Sequence, residues 1–301
     1  MLVLGIESAT PVASVALSDE QGLLGEVLLN VGLTHSEQLL PMIDDLLRQC
    51  RRTIRDVTAI GVSAGPGSFT GLRIGMATAK ALAQGALPHT PVSPGVRLLA
   101  IPTLEAMAWQ LKGCGRDILV SPMLNARREQ IYTALYRWRT DNAAYADAAG
   151  TDVGAVGTTD GDAGGVGEDK AMSLREVFAA RQRGKKDRMP AGAGDDSDLL
   201  ELLVPPEAVS PKVWAKRLAE HGQDVYLLGD GAAMYQEIWH GDLRGRAIIL
   251  PPAAGLCRGS FVALAAMRLL QESGSQDSQT PCSGQSRQDF YGMKPIYLRG
   301  I

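Results

Sequence analysis

The sequence predicts an α/β protein built on a mixed sheet, and two observations carry that reading. Short apolar runs separated by turn residues open the chain, and helical patterns then alternate with single apolar runs in the order β-β-β-α-β-α. From Ile118 onward a similar order recurs more loosely. At 301 residues the chain suits one large domain or two smaller ones, with ample length for a sizeable core.

Leu2 to Ile6 is the first apolar run and ends at Glu7-Ser8-Ala9-Thr10. Ala13 to Leu17 follows Pro11, and Gly25 to Leu29 follows Asp19-Glu20-Gln21-Gly22. Runs of this length between turn residues predict a three-strand meander. Thr34-His35-Ser36-Glu37 fits a capping box, in which a hydroxyl and a carboxylate satisfy the orphan donors of a helix start. Leu39, Leu40, Ile43, Leu46 and Leu47 keep helical spacing behind it, and Pro41 predicts a kink or a later start. Ala59 to Ser63 is the next strand, followed by a glycine-rich loop and a helix from about Phe69 to Gln84. Thr103 to Leu111 reads as a further helix. Ile118 to Leu124 and Ile131 to Trp138 read as strands joined through Asn125-Ala126-Arg127-Arg128-Glu129. A helix near Lys212 to His221, a strand at Val225 to Leu228 running into Gly229-Asp230-Gly231-Ala232, and a long helix from about Arg258 to Gln271 complete the pattern.

Two stretches break it. Asp141 to Asp169 holds seven acidic residues and seven glycines with no Lys or Arg, whereas Arg175 to Arg188 is basic. Such composition cannot bury enough apolar surface to offset its ordering entropy, so 141–198 is expected to be a mostly disordered insertion, with a short helix near Ser173 to Ala180. The Ser/Gln/Gly stretch at 272–288 is expected to be a flexible linker. The expected division is a first lobe at 1–112 and a second at 113–301, with the last helix able to pack back on the first.

Composition narrows the function classes. A net charge of −3 disfavours a chain that holds nucleic acid by itself, because phosphate neutralisation dominates that affinity. Cysteines at 50, 114, 257 and 282 form no C-x-x-C pair, which argues against a zinc knuckle and for reduced thiols. The N-terminus lacks a basic region and meets Glu7 early, unlike a signal peptide, and no stretch approaches the ~20 apolar residues of a membrane span. A cytoplasmic location is expected.

Ser63 to Gly75, SAGPGSFTGLRIG, places glycines between a strand and a helix, where backbone N–H groups can hold an anion. It lacks both the Gly-Lys-Ser/Thr ending of a Walker loop and the G-x-G-x-x-G pattern with a following ribose-binding acid. Gly65 and Gly67 then read as a tight turn, and Gly71, Gly75 and Ala79, spaced by four, as a flat face for close helix packing.

The string GPGSFTGLRIG, the opening strand into Glu7-Ser8-Ala9-Thr10, the His35-Ser36-Glu37 helix start with Leu39-Leu40-Pro41, and the closing Tyr297-Leu298-Arg299 together resemble the TsaB (YeaZ) family. That family is the accessory subunit for threonylcarbamoyladenosine synthesis at position 37 of tRNA (t6A). The resemblance covers about 1–138 and 205–301. It implies the two-lobed ASKHA (actin/hexokinase-like, ribonuclease H-like) fold, a TsaD-like catalytic partner, a TsaE-like ATPase in a larger complex, and contact with tRNA only through that complex. The free chain is left open between homodimer and monomer. In that fold the matching nucleotide-site positions are Glu7, Ser8, Thr10, Asn125, Gly229, Asp230 and Gly231. ATP users keep Asp in the first loop and usually in the second, so Glu7 and Asn125 imply a degraded site with no metal and no cofactor.

By the same resemblance the partner face comprises Leu39, Met42 and Leu46 of the first helix with Thr70, Leu72, Arg73, Met76 and Lys80 of the second, and Gly71 and Gly75 allowing close packing. The alternative is that both helices only cover the sheet. His35, His89, His221 and His240 lack the i, i+4 pairing through which the catalytic paralogue holds metal, and His35 reads as a capping or surface residue. An autonomous ASKHA small-molecule kinase is the rival reading. A glycoprotease is a third, with no H-E-x-x-H to support it.

Overall fold

The structure is a computed structural model that describes residues 1–31, 35–85, 95–114, 117–140 and 198–276. The capping-box Thr34, the segment 141–197, His89, Cys282 and the tail with Tyr297-Leu298-Arg299 lie outside the described residues.

The first lobe is a five-stranded sheet of order β3-β2-β1-β4-β5, with β1 at Leu2–Glu7, β2 at Ala13–Asp19, β3 at Gly22–Leu29, β4 at Ala59–Gly65 and β5 at Arg97–Pro102. β1 to β3 pair antiparallel, and β4 and β5 run parallel to β1. The second lobe repeats this plan as β8-β7-β6-β9-β10, with β6 at Ile118–Arg127, β7 at Gln130–Thr140, β8 at Asp198–Val209, β9 at Val225–Leu228 and β10 at Ala247–Ile249. Again the first three strands are antiparallel and the last two parallel.

Helices fill three layers around the two sheets. Helices α1 (His35–Gln49) and α2 (Phe69–Gly85) cover the outer face of the first sheet, packing Leu39, Ile43, Leu46, Met76 and Ala79 against Leu4, Ile6 and Val62. Between the sheets lie α3 (Thr103–Ala108) and a long last helix, Gly259–Gln276, in a shared core with Val3, Ile101, Val120 and Trp138. The outer face of the second sheet carries α4 (Pro211–Glu220), α5 (Asp230–Met234) and α6 (Gln236–Leu243), making the last helix α7. Trp138, Trp214 and Trp239 are fully buried, and each donates its indole N–H to an oxygen 2.9 to 3.0 Å away, which removes the cost of burying it.

α7 belongs in sequence to the second lobe, yet it lies on β1, β2 and β4 of the first. Glycines in those strands make this possible. A Cβ on Gly5 would meet the Gly259 carbonyl oxygen at 2.1 Å, and one on Gly61 the Ala266 Cβ at 2.8 Å. The helix start is anchored by the first lobe as well. Gly259 N–H donates to Ser14 Oγ at 2.9 Å, and the Glu26 carboxylate accepts from Ser260 N–H at 3.0 Å and Ser260 Oγ at 2.8 Å. A carboxylate there also complements the positive end of the helix.

The structure departs from the sequence reading at several edges. α1 runs unbroken through Pro41, which is exposed, so water can serve the carbonyl that the missing N–H leaves unpaired. Asp198 starts β8 rather than ending an insertion, because it pairs with Thr140. α7 extends to Gln276, into the expected linker, supported by an i, i+4 pair in which Arg268 Nε donates to Glu272 Oε1 at 2.8 Å.

Candidate functional site

β1 delivers Glu7 to the junction between the lobes, where its side chain is fully buried. Oε1 accepts the Ala9 N–H at 2.6 Å, while Oε2 has no hydrogen-bond partner. Burial pushes the carboxyl up to about 7, against the pull of the Ala9 amide, the Ser63 hydroxyl and the Thr10 amide. The loop after Glu7 is held from below. Ser8 N–H donates to Ser63 Oγ at 3.2 Å, and Ser8 Oγ donates to the Gly71 carbonyl at 3.0 Å. His35 Nε2 donates to the Thr10 carbonyl at 2.8 Å, so this histidine fastens the first loop to the start of α1.

The second-lobe residues meet one another directly. Asp230 Oδ1 accepts the Asn125 N–H at 2.9 Å, which ties α5 to the end of β6. Gly229 has φ of 101°, and a Cβ there would lie 2.2 Å from the Met123 carbonyl oxygen, so only glycine fits. A Cβ on Gly231 would meet Met123 Cβ and Ile131 Cγ2 at 3.1 Å. The Gly229–Ala232 turn is therefore packed against β6.

Cys257, just ahead of α7, is buried between the two loops. Its thiol is pushed well up by burial, then by the charges of Glu7 and Asp230, and is drawn back by a contact with Thr10. Gly255 approaches Gly229 so closely that a Cβ on it would lie 2.7 Å from the Gly229 nitrogen. Glu7 is fully buried with one oxygen already bonded to backbone, Asp230 is bonded to Asn125, and the space between Gly255 and Gly229 does not admit even a methyl group. Among the described residues no three of His, Cys, Asp and Glu are arranged to hold a metal ion. A cavity of about 150 Å³ lies elsewhere, beside Glu105, Trp109, Leu200 and Arg268.

The residues proposed for the partner face divide sharply. Leu39, Met42, Leu46, Leu72 and Met76 are 0 to 5% exposed and belong to the chain's own core, which corrects their assignment to a surface. The helical period that makes them a stripe also turns that stripe onto the sheet. Gly71 and Gly75 are corrected likewise. A Cβ on Gly71 would meet the Ser8 carbonyl oxygen, and one on Gly75 the Ser8 Oγ, each at 2.1 Å, so their close packing is against the chain's own first loop. Thr70 and Arg73 face outward and Lys80 is half-buried. On the same two helices Phe69 is 51% exposed, with the Arg73 guanidinium 3.8 Å over its ring, and Leu40 is 52% exposed on α1. The sequence reading missed Cys257 and Gly255, whose only signal was the turn-forming Pro251-Pro252-Ala253-Ala254-Gly255 run before the last helix.

Two copies of one five-stranded plan, with loops from both meeting at a central junction, define a protein of the actin/hexokinase-like (ASKHA) class. The solved structure of YeaZ from Pseudomonas aeruginosa shares this fold at 19% identity, with a TM-score of 0.60 over 99% of both chains. A family model described as TsaD, tRNA N6-adenosine threonylcarbamoyltransferase, matches residues 30–280. The tRNA threonylcarbamoyladenosine biosynthesis protein TsaB of Bacillus subtilis is 34% identical over 139 residues, 46% of this chain and 56% of that protein. Its namesake in Escherichia coli is 36% identical over 141 residues, 46% of this chain and 55% of that protein. The matched region thus spans about half the length of these curated relatives. The chain belongs to the family that this model describes, TsaD, and over its matched half it is similar to the TsaB proteins.

Proposed function

We propose that the chain is a non-catalytic partner subunit in t6A synthesis, binding and supporting a TsaD-like catalytic subunit, with a TsaE-like ATPase joining the larger complex. The observation that carries this reading is the closed junction. Glu7 is buried beside Cys257, and Gly255 packs onto Gly229, so the loops of the two lobes close on one another. Support for the pathway comes from the names of the relatives, each a threonylcarbamoyladenosine biosynthesis protein. The partner face is the outward side of α1 and α2, around Leu40, Phe69, Thr70 and Arg73. A stacked guanidinium and ring beside an exposed leucine offer apolar area with little side-chain entropy left to lose. The same face serves self-association when the catalytic subunit is absent.

The test is co-purification with the TsaD-type subunit of the same cell, a mass measurement of the complex, and t6A formation with and without this chain. A stoichiometric complex that is needed for t6A formation is expected, with no ATP turnover by this chain alone. Magnesium-dependent turnover above about 1 s⁻¹, abolished by Glu7→Ala, would establish the kinase reading instead.

A further inference from the structure

At the end of the first lobe away from the lobe junction, α1 stops in a turn dense in arginine. Residues 48–56 carry Arg48, Arg51, Arg52 and Arg55 against Asp56 as the sole acid. Arg51, Arg52 and Arg55 are exposed. The backbone of the turn is fixed at both ends. Arg52 N–H donates to the Leu47 carbonyl at 2.9 Å and Arg51 N–H to the Arg48 carbonyl at 3.1 Å, the two bonds of a Schellman stop. Asp56 then closes a capping box on Thr53, accepting its N–H at 2.7 Å and its hydroxyl at 2.9 Å. Arg97 begins β5 alongside, its N–H bonded to the Thr58 carbonyl at 3.1 Å.

Arg51 occupies the left-handed position of the stop, with φ of 53°, where glycine is the ordinary residue because any Cβ is crowded there. Helix ending alone would favour glycine, and a cation complementing the helix dipole needs no left-handed backbone. Nor are the acids at hand spare. Asp45 is paired with Arg48, and Asp56 is bonded to Thr53, with Arg52 near enough to stabilise its charge. Among the described residues Arg51, Arg55 and Arg97 have no ion-pair partner.

We propose that this arginine turn binds the phosphate backbone of structured RNA, so that the subunit contributes a phosphate contact to the tRNA complex rather than only protein contacts. Planar guanidinium groups on a rigid turn suit bidentate bonds to phosphate oxygens. The turn carries no aromatic residue on which an unpaired base would stack, so the recognition is of backbone and not of sequence. The net charge of −3 is compatible with this, because a local patch acts within a Debye length and gives weak, salt-sensitive affinity. The proposal rests on the t6A reading for the identity of the RNA.

The experiment is fluorescence anisotropy of a labelled unmodified tRNA titrated with the full chain at 50 and 150 mM salt, with melting temperatures of each variant. Weak binding by the parent is expected, with Kd above about 1 µM at the higher salt. The triple variant Arg51→Gln, Arg52→Gln, Arg55→Gln is expected to bind about tenfold or more weakly at 50 mM salt, with a salt slope smaller by about 2 to 3. Equal affinity and slope in parent and triple variant would overturn the proposal, as would a parent that binds anionic vesicles but no tRNA at 50 mM salt. If the triple variant does not fold, Arg51→Gly decides. It relieves the left-handed position, so a melting temperature at or above the parent's with weakened tRNA binding supports the proposal, and unchanged binding refutes it. Capture of the TsaD-type subunit by the same variants separates the two readings: retained capture with unchanged RNA binding refutes the arginine turn alone.

Discussion

Glu7 is the residue on which the site turns. It ends β1 at the junction, yet its side chain is wholly enclosed and only one of its oxygens is bonded. Its folded-state pKa of about 7 lies above the ordinary 4.5, so the native state holds its proton more tightly than the unfolded chain. The stability this contributes is complete below pH 4.5 and is lost as pH rises through 7, amounting to roughly 3 kcal/mol across that interval. Glu7→Gln keeps the acceptor for Ala9 and removes the charge. It is expected to flatten the dependence of stability on pH between 5 and 8 and to raise stability at pH 8. Denaturant midpoints of both proteins at pH 5 and 8 measure this. An equal drop in both would mean that Glu7 keeps its ordinary pKa in the folded chain.

At the scale of elements, α2 shows how a correct pattern can be given the wrong partner. Its small residues at 71, 75 and 79 do mark a close approach, but the neighbour is Ser8 of the chain's own first loop. Gly75→Leu is therefore expected to overpack that contact, costing about 3 kcal/mol or more and lowering the melting temperature by several degrees. Arg73→Ala, on the opposite face, is expected to melt like the parent and to weaken capture of the catalytic subunit. A Gly75→Leu chain with the parental melting temperature that fails to capture the subunit would return the interface to the glycines. The strands of the first meander, β4, β6 and β7 were legible as short apolar runs between turn residues, and α1 and α2 by their helical spacing of apolar or small residues. β5 was not, since it follows a Pro-rich stretch at 88–94 and ends in Ile101-Pro102. Nor was β8, where Leu199-Leu200-Glu201-Leu202-Leu203 has no strand alternation and Pro205-Pro206 argues against a strand. Prolines are tolerated there because β8 is an edge of its sheet. At the junction, Glu7, Asn125 and the Gly229 turn were named only through the family resemblance. Cys257 and Gly255 were not named at all, because only the return of α7 onto the first lobe brings the last quarter of the chain between those loops.

For the molecule as a whole, the question is what the long segment between β7 and β8 does for the fold. Its two ends are neighbours: Thr140 and Asp198 pair across the antiparallel ladder, and the pairing continues from Arg139 and Leu199 to Ile131 and Val209. The segment is thus the connection of a β-hairpin, and the described residues on either side of it, through Thr140 and from Asp198, belong to one compact unit. A hairpin needs only a few residues to turn. Closing a connection of 57 residues costs roughly 2 kcal/mol more than closing one of about four, by the logarithmic dependence of loop entropy on length. Replacing 141–197 with a short Asn-Gly turn is expected to leave the melting temperature unchanged or raise it by a few degrees. Capture of the catalytic subunit should be retained, since α1 and α2 lie on the other lobe. The same replacement removes seven of the chain's basic residues, Lys170, Arg175, Arg181, Arg183, Lys185, Lys186 and Arg188. Titrating the shortened chain with tRNA then asks whether the RNA contact resides in the arginine turn of the first lobe or in that segment. Binding equal to the parent assigns it to the turn, and binding lost with the segment moves it there. A melting temperature several degrees below the parent's would show instead that 141–197 contributes to the core.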